Sequence, residues 1–372
     1  MKRIKSIDTI RGICMWIMIY GHIIFWWLRP EDAWLVNWLF AFLQPMGANG
    51  FLLVSGISAA LAYKNSQAKL KVSNKFNFKI IKNVYFIRAM FILIIGIIFN
   101  IFAATMYGGN IYDIWSWSVL QTIGISLILV WPFLKTSKFF RIILGVSFIL
   151  ANHILLGVLL PYKGEFTLFG IFYHLLFNPS DQYIILTYFG IFILGSAIGD
   201  IIFDINVIDD EYKRKFLFKK NFLFHTFLAG IIITIFGILF QFPQFLGKNT
   251  ISSVFYSLGI ILATLSGLMA IEMLEKVKTK KSYRFFFFYS YYSFTIYLAH
   301  NLLFFLFYKQ LNATLTIWIA IIIGNVLLGF LFRATYKTLG PKASLKVGIS
   351  VISFKLAFKW SKQKFKSPKE KT

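Results

Sequence analysis

Residues 8–28 read DTIRGICMWIMIYGHIIFWWL. A run of about 20 predominantly apolar residues is long enough to cross the hydrocarbon core of a bilayer as one helix. Runs of the same kind recur at 47–63, 82–103, 115–134, 140–161, 182–203, 221–242, 250–274, 284–307 and 312–336. Two shorter apolar pieces, 34–44 and 166–177, read as interfacial or re-entrant segments. Alternating ten-residue barrel strands are absent from the pattern. The expected fold is therefore all-α, a polytopic membrane protein with about ten transmembrane helices. Residues 1–336 form its transmembrane domain, and 337–372 a basic, amphipathic cytoplasmic tail.

Composition agrees. Of 372 residues 58% are hydrophobic, 19% aromatic and only 14% charged, with 44 Phe, more apolar surface than one soluble core of this length hides. A soluble enzyme is excluded. The 39 Lys and Arg against 14 Asp and Glu give a net charge of +25, which in isolation suggests a nucleic-acid partner. Position argues otherwise, because ten spans with both termini in the cytoplasm put all but Arg29, Lys163, Lys248 and Lys309 on or near the inner side. The charge is a topological signature of an integral, multi-pass protein of the cell membrane, and no nucleic acid is expected. The largest inner clusters are 64–82, 213–220 and 276–284. In the tail, Val347, Val351, Phe354 and Phe358 recur at near-helical spacing among lysines, which predicts a helix on anionic lipid headgroups; a disordered basic tail is the plainer alternative. The short basic N-terminus lacks a small-residue cleavage site, so the first run is read as retained. Cys14 is the single cysteine and supports neither a disulfide nor a Cys-based metal site.

Ionisable residues inside a bilayer are costly and usually face a cavity or partner. Arg11 and His22 lie eleven residues apart, which on a helix returns to within about 20° of one face and separates them by about 16 Å. Asp8, one turn before Arg11, can pair with it. The ninth run also crosses from inside to outside and lifts His300 to the height of His22, with Ser293 and Tyr297 on its side and Asn301 beside it. Arg88 on the third run lies near the depth of Arg11. The outline is two arginines low and two histidines high. Against it stand simpler readings: arginines that snorkel to inner headgroups, and a His300 satisfied by a helix carbonyl. His153 reads as packing or a cavity wall, and His174, in an outer loop, and His225 belong to no constellation. Every carboxylate falls at a span end or in a loop, which weakens ion-coupled transport. With no Gly-rich nucleotide loop, carboxylate pair or nucleophile elbow visible, histidine is the best general base on offer.

The segment Ser6-Ile7-Asp8-Thr9-Ile10-Arg11-Gly12, with His22 after ten intervening residues, resembles the opening of the membrane-bound acyltransferases. These comprise the acyltransferase family 3 proteins and, as the closer match, the heparan-α-glucosaminide N-acetyltransferase-like family. The similarity continues in GANGFLLVSG (47–56), around Arg88, in LQTIG (120–124) and in SFTIYLAH (293–300). It implies a ten-helix transferase that takes an acyl group, usually acetyl, from a cytoplasmic coenzyme A thioester to a hydroxyl or amine of a sugar or glycolipid acceptor presented from outside. On that resemblance His22 matches the functional histidine and Arg11 the invariant arginine of the opening motif; the spacing along the helices adds His300 as a second candidate catalytic residue and Arg11 and Arg88 as the groups expected to hold the donor's phosphates while the thioester reaches His22. Asn49, Gln121 and Tyr297 line the acceptor or oxyanion site. Acetyl-CoA or another acyl-CoA is the donor, no metal or haem is expected, and a homodimer stays open. The animal lysosomal members carry Asn where His22 stands and place their proposed histidine further on, whereas residues 23–45 here contain no His, so their glucosamine substrate is not carried over. Two other readings use the same residues: a flippase or transporter of a lipid-linked or sugar-like solute, and a b-type haem protein ligated by His22 and His300.

Overall fold

The computed structural model describes residues 3–72, 77–106, 114–178, 185–247, 250–274 and 284–361. Among them helices are the regular structure, apart from one isolated bridge between Leu28 and Leu311. The inner cluster 276–283, Lys248 and the end of the tail lie outside the described residues.

Helices α1 (Lys5–Trp27), α4 (Phe78–Met106), α6 (Lys138–Leu159), α8 (Ile185–Asn206), α11 (Ile251–Met273) and α14 (Thr316–Thr338) are long and apolar enough to span a bilayer. A seventh such span, Glu211–Phe240, joins α9 (Glu211–Phe218) to α10 (Phe224–Phe240) through a wider π turn at Lys219–Leu223. The protein is thus a polytopic all-α membrane protein. The three other expected runs are helical but irregular. The run at 47–63 becomes α3 (Ala48–Val72), which extends to the lysines beyond its apolar part. The run at 115–134 shortens to α5 (Val119–Val130), capped by the Ser118 hydroxyl and stopped before Pro132; proline cannot continue the backbone ladder.

The run at 284–307 is not one helix. It breaks into α12 (Arg284–Tyr291), α13 (Ser293–Ala299) and a tighter 3-10 stretch, His300–Phe305. The two short apolar pieces are helices α2 (Ala33–Leu43) and α7 (Leu168–Phe177). His174 therefore sits on α7 rather than in a loop.

Burial orders the bundle. In α8, 78% of the apolar window is buried inside the protein, against 6% in α14, so α8 is central while α14 offers Ile322, Leu327 and Phe330 to the surroundings. Helix α8 packs between α3 and α6, α4 pairs with α5, and α10 with α11. Helix α1 lies against α3, α11 and α12, and its contact with α12 is close because Gly12 has no side chain: a Cβ there would stand 2.1 Å from the Phe286 carbonyl oxygen. The outer end of α1 is tied to the loop after the 3-10 stretch, with Lys309 and Leu311 amides donating to the Trp26 and Trp27 carbonyls at 2.9 and 2.8 Å. The first and ninth spans are therefore direct neighbours.

The tail continues as α15 (Leu345–Trp360), which packs along α4 and touches α13. Ile80 and Ile87 of α4 bury Ala357 and Phe358 of α15, while Val351 and Ile352 stay exposed.

Candidate active site

The first turn of α1 is held from α11. The Lys5 and Ser6 amides donate to the Glu272 carboxylate at 2.8 and 2.7 Å, and the Ser6 hydroxyl donates to it as well. A carboxylate at a helix N-terminus satisfies free amides and complements the helix dipole. One turn on, Asp8 accepts from Arg3 and from Arg11 Nη1 (3.3 Å). Arg11 also donates to Ser290 Oγ of α12 at 3.3 Å and to Ser58 Oγ of α3. Arg11 is only 8% exposed. It does not snorkel; it knots three helices together at the base of the bundle.

About 16 Å further along α1, the imidazoles of His22 and His300 stand edge to face with ring centroids 5.1 Å apart. Trp26 braces both, edge-on to His22 at 5.0 Å and stacked on His300 at 5.7 Å. Trp27 Nε1 donates to the Leu303 carbonyl at 2.7 Å, which fixes the 3-10 stretch against α1. His300 Nδ1 lies 2.6 Å from the Tyr297 carbonyl oxygen. A carbonyl can only accept, so Nδ1 carries the proton and Nε2 the lone pair. His300 is buried, and that Nε2 has no hydrogen-bond partner among the described residues. An imidazole held in this tautomer by a backbone carbonyl is arranged to take a proton from a hydroxyl or amine placed at its second nitrogen.

Tyr297 packs its ring on His300 (5.7 Å) and on Phe99 of α4 (5.4 Å). Next to Phe99, Asn100 donates to Gln121 Oε1 at 2.5 Å and to the Ser116 carbonyl at 2.7 Å. Gln121 Nε2 is left buried without a partner among the described residues. The α4–α5 crossing allows this because Gly124 admits the Leu93 backbone, 2.8 Å from where a Cβ would be. Asn49 is buried at the start of α3, its Oδ1 unpartnered among the described residues; Gly50 beside it abuts Cys14 of α1. No hydrogen bond joins Asn49 to the histidines among the described residues.

Arg88 is half-buried on α4, and no carboxylate pairs with it among the described residues. It lines a cleft of about 580 Å³ whose other wall is α15, with Lys346, Val347, Ser350, Val351, Phe354 and Lys355. Arg11 is not on that lining. The structure thus joins His22 to His300 and Tyr297, joins Gln121 to them through α4, and separates the roles of the two arginines. Ser58, Ser290, Glu272, Trp26 and Asn100 were not anticipated. A serine or asparagine on an apolar run, a tryptophan among other aromatics and a carboxylate at a span end give no distinguishing sequence signal until the helices are packed.

A second buried ion pair was also unforeseen: Arg141 of α6 binds Asp200 and donates to the Ser196 carbonyl at 3.0 Å, with Lys64 Nζ 3.6 Å from Asp200. It ties α6, α8 and α3 at their inner ends.

A family model described as heparan-alpha-glucosaminide N-acetyltransferase, catalytic, matches residues 3–222. The match contains Arg11, His22, Asn49, Arg88 and Gln121 and stops short of Tyr297 and His300. No curated protein gives a significant match to the chain.

Proposed function

Matched over more than half its length, the chain belongs to the heparan-α-glucosaminide N-acetyltransferase catalytic family, of membrane acetyltransferase type, and on that premise we propose that it moves an acetyl group from acetyl-CoA on the cytoplasmic side to a sugar-like acceptor entering from the outer side. The observation that carries the reading is the His22–His300 pair, in which His300 Nε2 is buried and has no partner among the described residues, with His22 about 16 Å along α1 from Arg11. A long thin arm between a charged nucleotide and a thioester suits that separation.

In this reading Arg88 meets the donor's phosphates, since charge-assisted hydrogen bonds to phosphate are strong and arginine's planar fork suits them. Arg11 contributes positive potential from beneath while its fork holds α1, α3 and α12 in place. At the upper level, His300 Nε2 takes the proton of the acceptor hydroxyl or amine as its oxygen or nitrogen attacks the thioester carbonyl. The tetrahedral intermediate then expels the CoA thiolate, which leaves with a proton from the imidazolium. His22, edge-on to His300, orients that ring and can exchange the proton with it, or itself carry the acetyl group transiently. Gln121 Nε2 and Tyr297 are the candidates for stabilising the oxyanion or orienting the acceptor.

The test is direct. Protein in nanodiscs should bind acetyl-CoA in calorimetry and release free CoA when a sugar acceptor is added. Failure to bind any acyl-CoA, together with flux of a sugar-like solute in proteoliposomes, would replace this reading with transport.

A further inference from the structure

The chain that follows α14 is fastened to the broken ninth span. Tyr292 Oη donates to the Gly340 carbonyl at 2.9 Å, and Thr295 Oγ1 to the Ala343 carbonyl at 3.1 Å. Ser344 Oγ donates to the Tyr291 carbonyl and the Leu345 amide to Thr295 Oγ1, each at 3.1 Å. These bonds straddle the joint between α12, which offers Ser290 to Arg11, and α13, which leads to His300. The next residue is Lys346. With Ala357 and Phe358 buried against α4 at the other end of α15, the helix is fixed at both ends over Arg88.

The cleft between them, about 580 Å³, falls in the size range of small-molecule and cofactor sites. Its lining is unusual for a surface groove: the cations Arg88, Lys346 and Lys355, the hydroxyl of Ser350, and an apolar wall of Val347, Val351 and Phe354. Neither Arg88 nor Lys346 has a carboxylate partner among the described residues. Repulsion from Arg11, burial and then Arg88 hold the Lys346 ammonium well below the ordinary lysine range, with Asp8 opposing. An anion in the cleft would offset the mutual repulsion of these groups and favour the charged form of the lysine. Phosphate groups beside an aromatic base match both the charges and the apolar wall.

We propose that α15 is one wall of the donor site, with Lys346 and Lys355 joining Arg88 on the phosphate groups of the CoA nucleotide while Phe354 and Val351 face its adenine. This deepens the acetyl-CoA reading and rests on it. It assigns binding residues to a part of the chain outside the family match, 3–222. A phospholipid headgroup offers the same phosphate chemistry, and the experiment separates the two.

Affinities for CoA, 3′-dephospho-CoA and acetyl-pantetheine are measured on the full chain in phosphatidylcholine nanodiscs, for wild type, Lys346→Gln, Lys346→Arg and Ser350→Asp, with thermal melts to confirm folding. Lys346→Gln, which loses one charge-assisted contact, and Ser350→Asp, which sets a carboxylate against the phosphates, are each expected to weaken CoA by about tenfold. Acetyl-pantetheine should be unaffected, and Lys346→Arg should bind CoA as wild type does. If wild type binds CoA and both weakening variants bind it equally well, α15 is not part of the donor site while the acetyl-CoA reading stands. Phosphatidylglycerol retained through detergent purification is measured on the same variants; if they lose it with no change for CoA, the cleft belongs to lipid and the proposal is overturned. If wild type binds no CoA, the reading beneath it fails as well.

Discussion

His300 meets His22 edge to face, ring centroids 5.1 Å apart, at the residue where the ninth span tightens from α to 3-10 geometry. A discontinuous helix exposes backbone that must be satisfied within the protein, and here the Tyr297 carbonyl is satisfied by the imidazole that it also orients. Replacing either histidine by Ala should lower the rate of acetyl transfer by about 10²- to 10⁴-fold, the usual worth of a positioned acid–base group, with CoA affinity retained. Groups acting as one unit lose activity non-additively, so the double variant should be no slower than the slower single one. Release of CoA measured in single-turnover experiments reads both. Full activity in His300→Ala would remove the ring from the mechanism.

Arg11 and Arg88 should part company under mutation. Arg11→Ala leaves Asp8 with Arg3 and Ser290 but takes away its buried arginine, and it strips the Arg11 donors from Ser58 and Ser290. Breaking a fully buried pair costs about 3–5 kcal/mol, and with Arg3 still on Asp8 the loss should fall below that range yet appear as a drop in thermal stability, part of which Asp8→Asn in the same chain should recover. Arg88→Ala breaks no protein ion pair among the described residues and should melt near wild type while binding CoA more weakly. Equal melting temperatures for the two variants would mean that Arg11 snorkels after all.

Much of this was legible from the chain. The apolar runs, the placement of Lys and Arg, and the eleven-residue spacing of Arg11 and His22 rest on regular periodicities, and regular helices preserve them. What could not be read depends on pairings between helices distant in sequence. Gly12 looks like any glycine until Phe286 lies on it, and Asn100 looks like an isolated polar residue until Gln121 faces it. The break at residues 291–293 has no proline or glycine to announce it. Arg141 and Asp200 resemble inner-side charges because each stands near a span end, yet they are buried against one another. The lysines of α15 fit a lipid-facing helix by composition; only the fold sets Lys346 opposite Arg88.

If Gln121 meets the acceptor as proposed, it offers a separate handle on it. Its Oε1 is engaged by Asn100 and its Nε2 is a buried donor without a partner among the described residues, an arrangement that costs stability unless a ligand completes it. Gln121→Leu removes that donor and should leave the protein folded. It is expected to raise the acceptor KM by about tenfold, the worth of one buried hydrogen bond, with the affinity for CoA unchanged. Titrating acceptor at saturating acetyl-CoA separates the two effects, and an unchanged acceptor KM would return Gln121 to helix packing alone.

Donor binding should also carry a proton. Lys346 is held below the ordinary lysine value of 10.5, first by Arg11, then by burial and Arg88. Among the described residues the charged groups around it are Arg3, Arg11 and Asp8 at the base of α1, Arg88 on α4 and Lys355 along α15; α13, also packed on α15, brings Tyr297 and no charge. A bound phosphate raises the depressed value again. Between the lowered and the restored values the complex holds a proton that the free protein lacks, so binding takes one up and affinity falls as pH rises through that interval. Phosphate monoesters finish ionising near pH 6, so above about pH 7.5 the ligand's own titration does not contribute. Calorimetry of CoA binding in two buffers of different ionisation enthalpy should give different apparent enthalpies for wild type. In Lys346→Arg, whose guanidinium stays charged throughout, the two should coincide while affinity is kept. Coincident enthalpies in wild type would show that Lys346 is already protonated in the empty cleft.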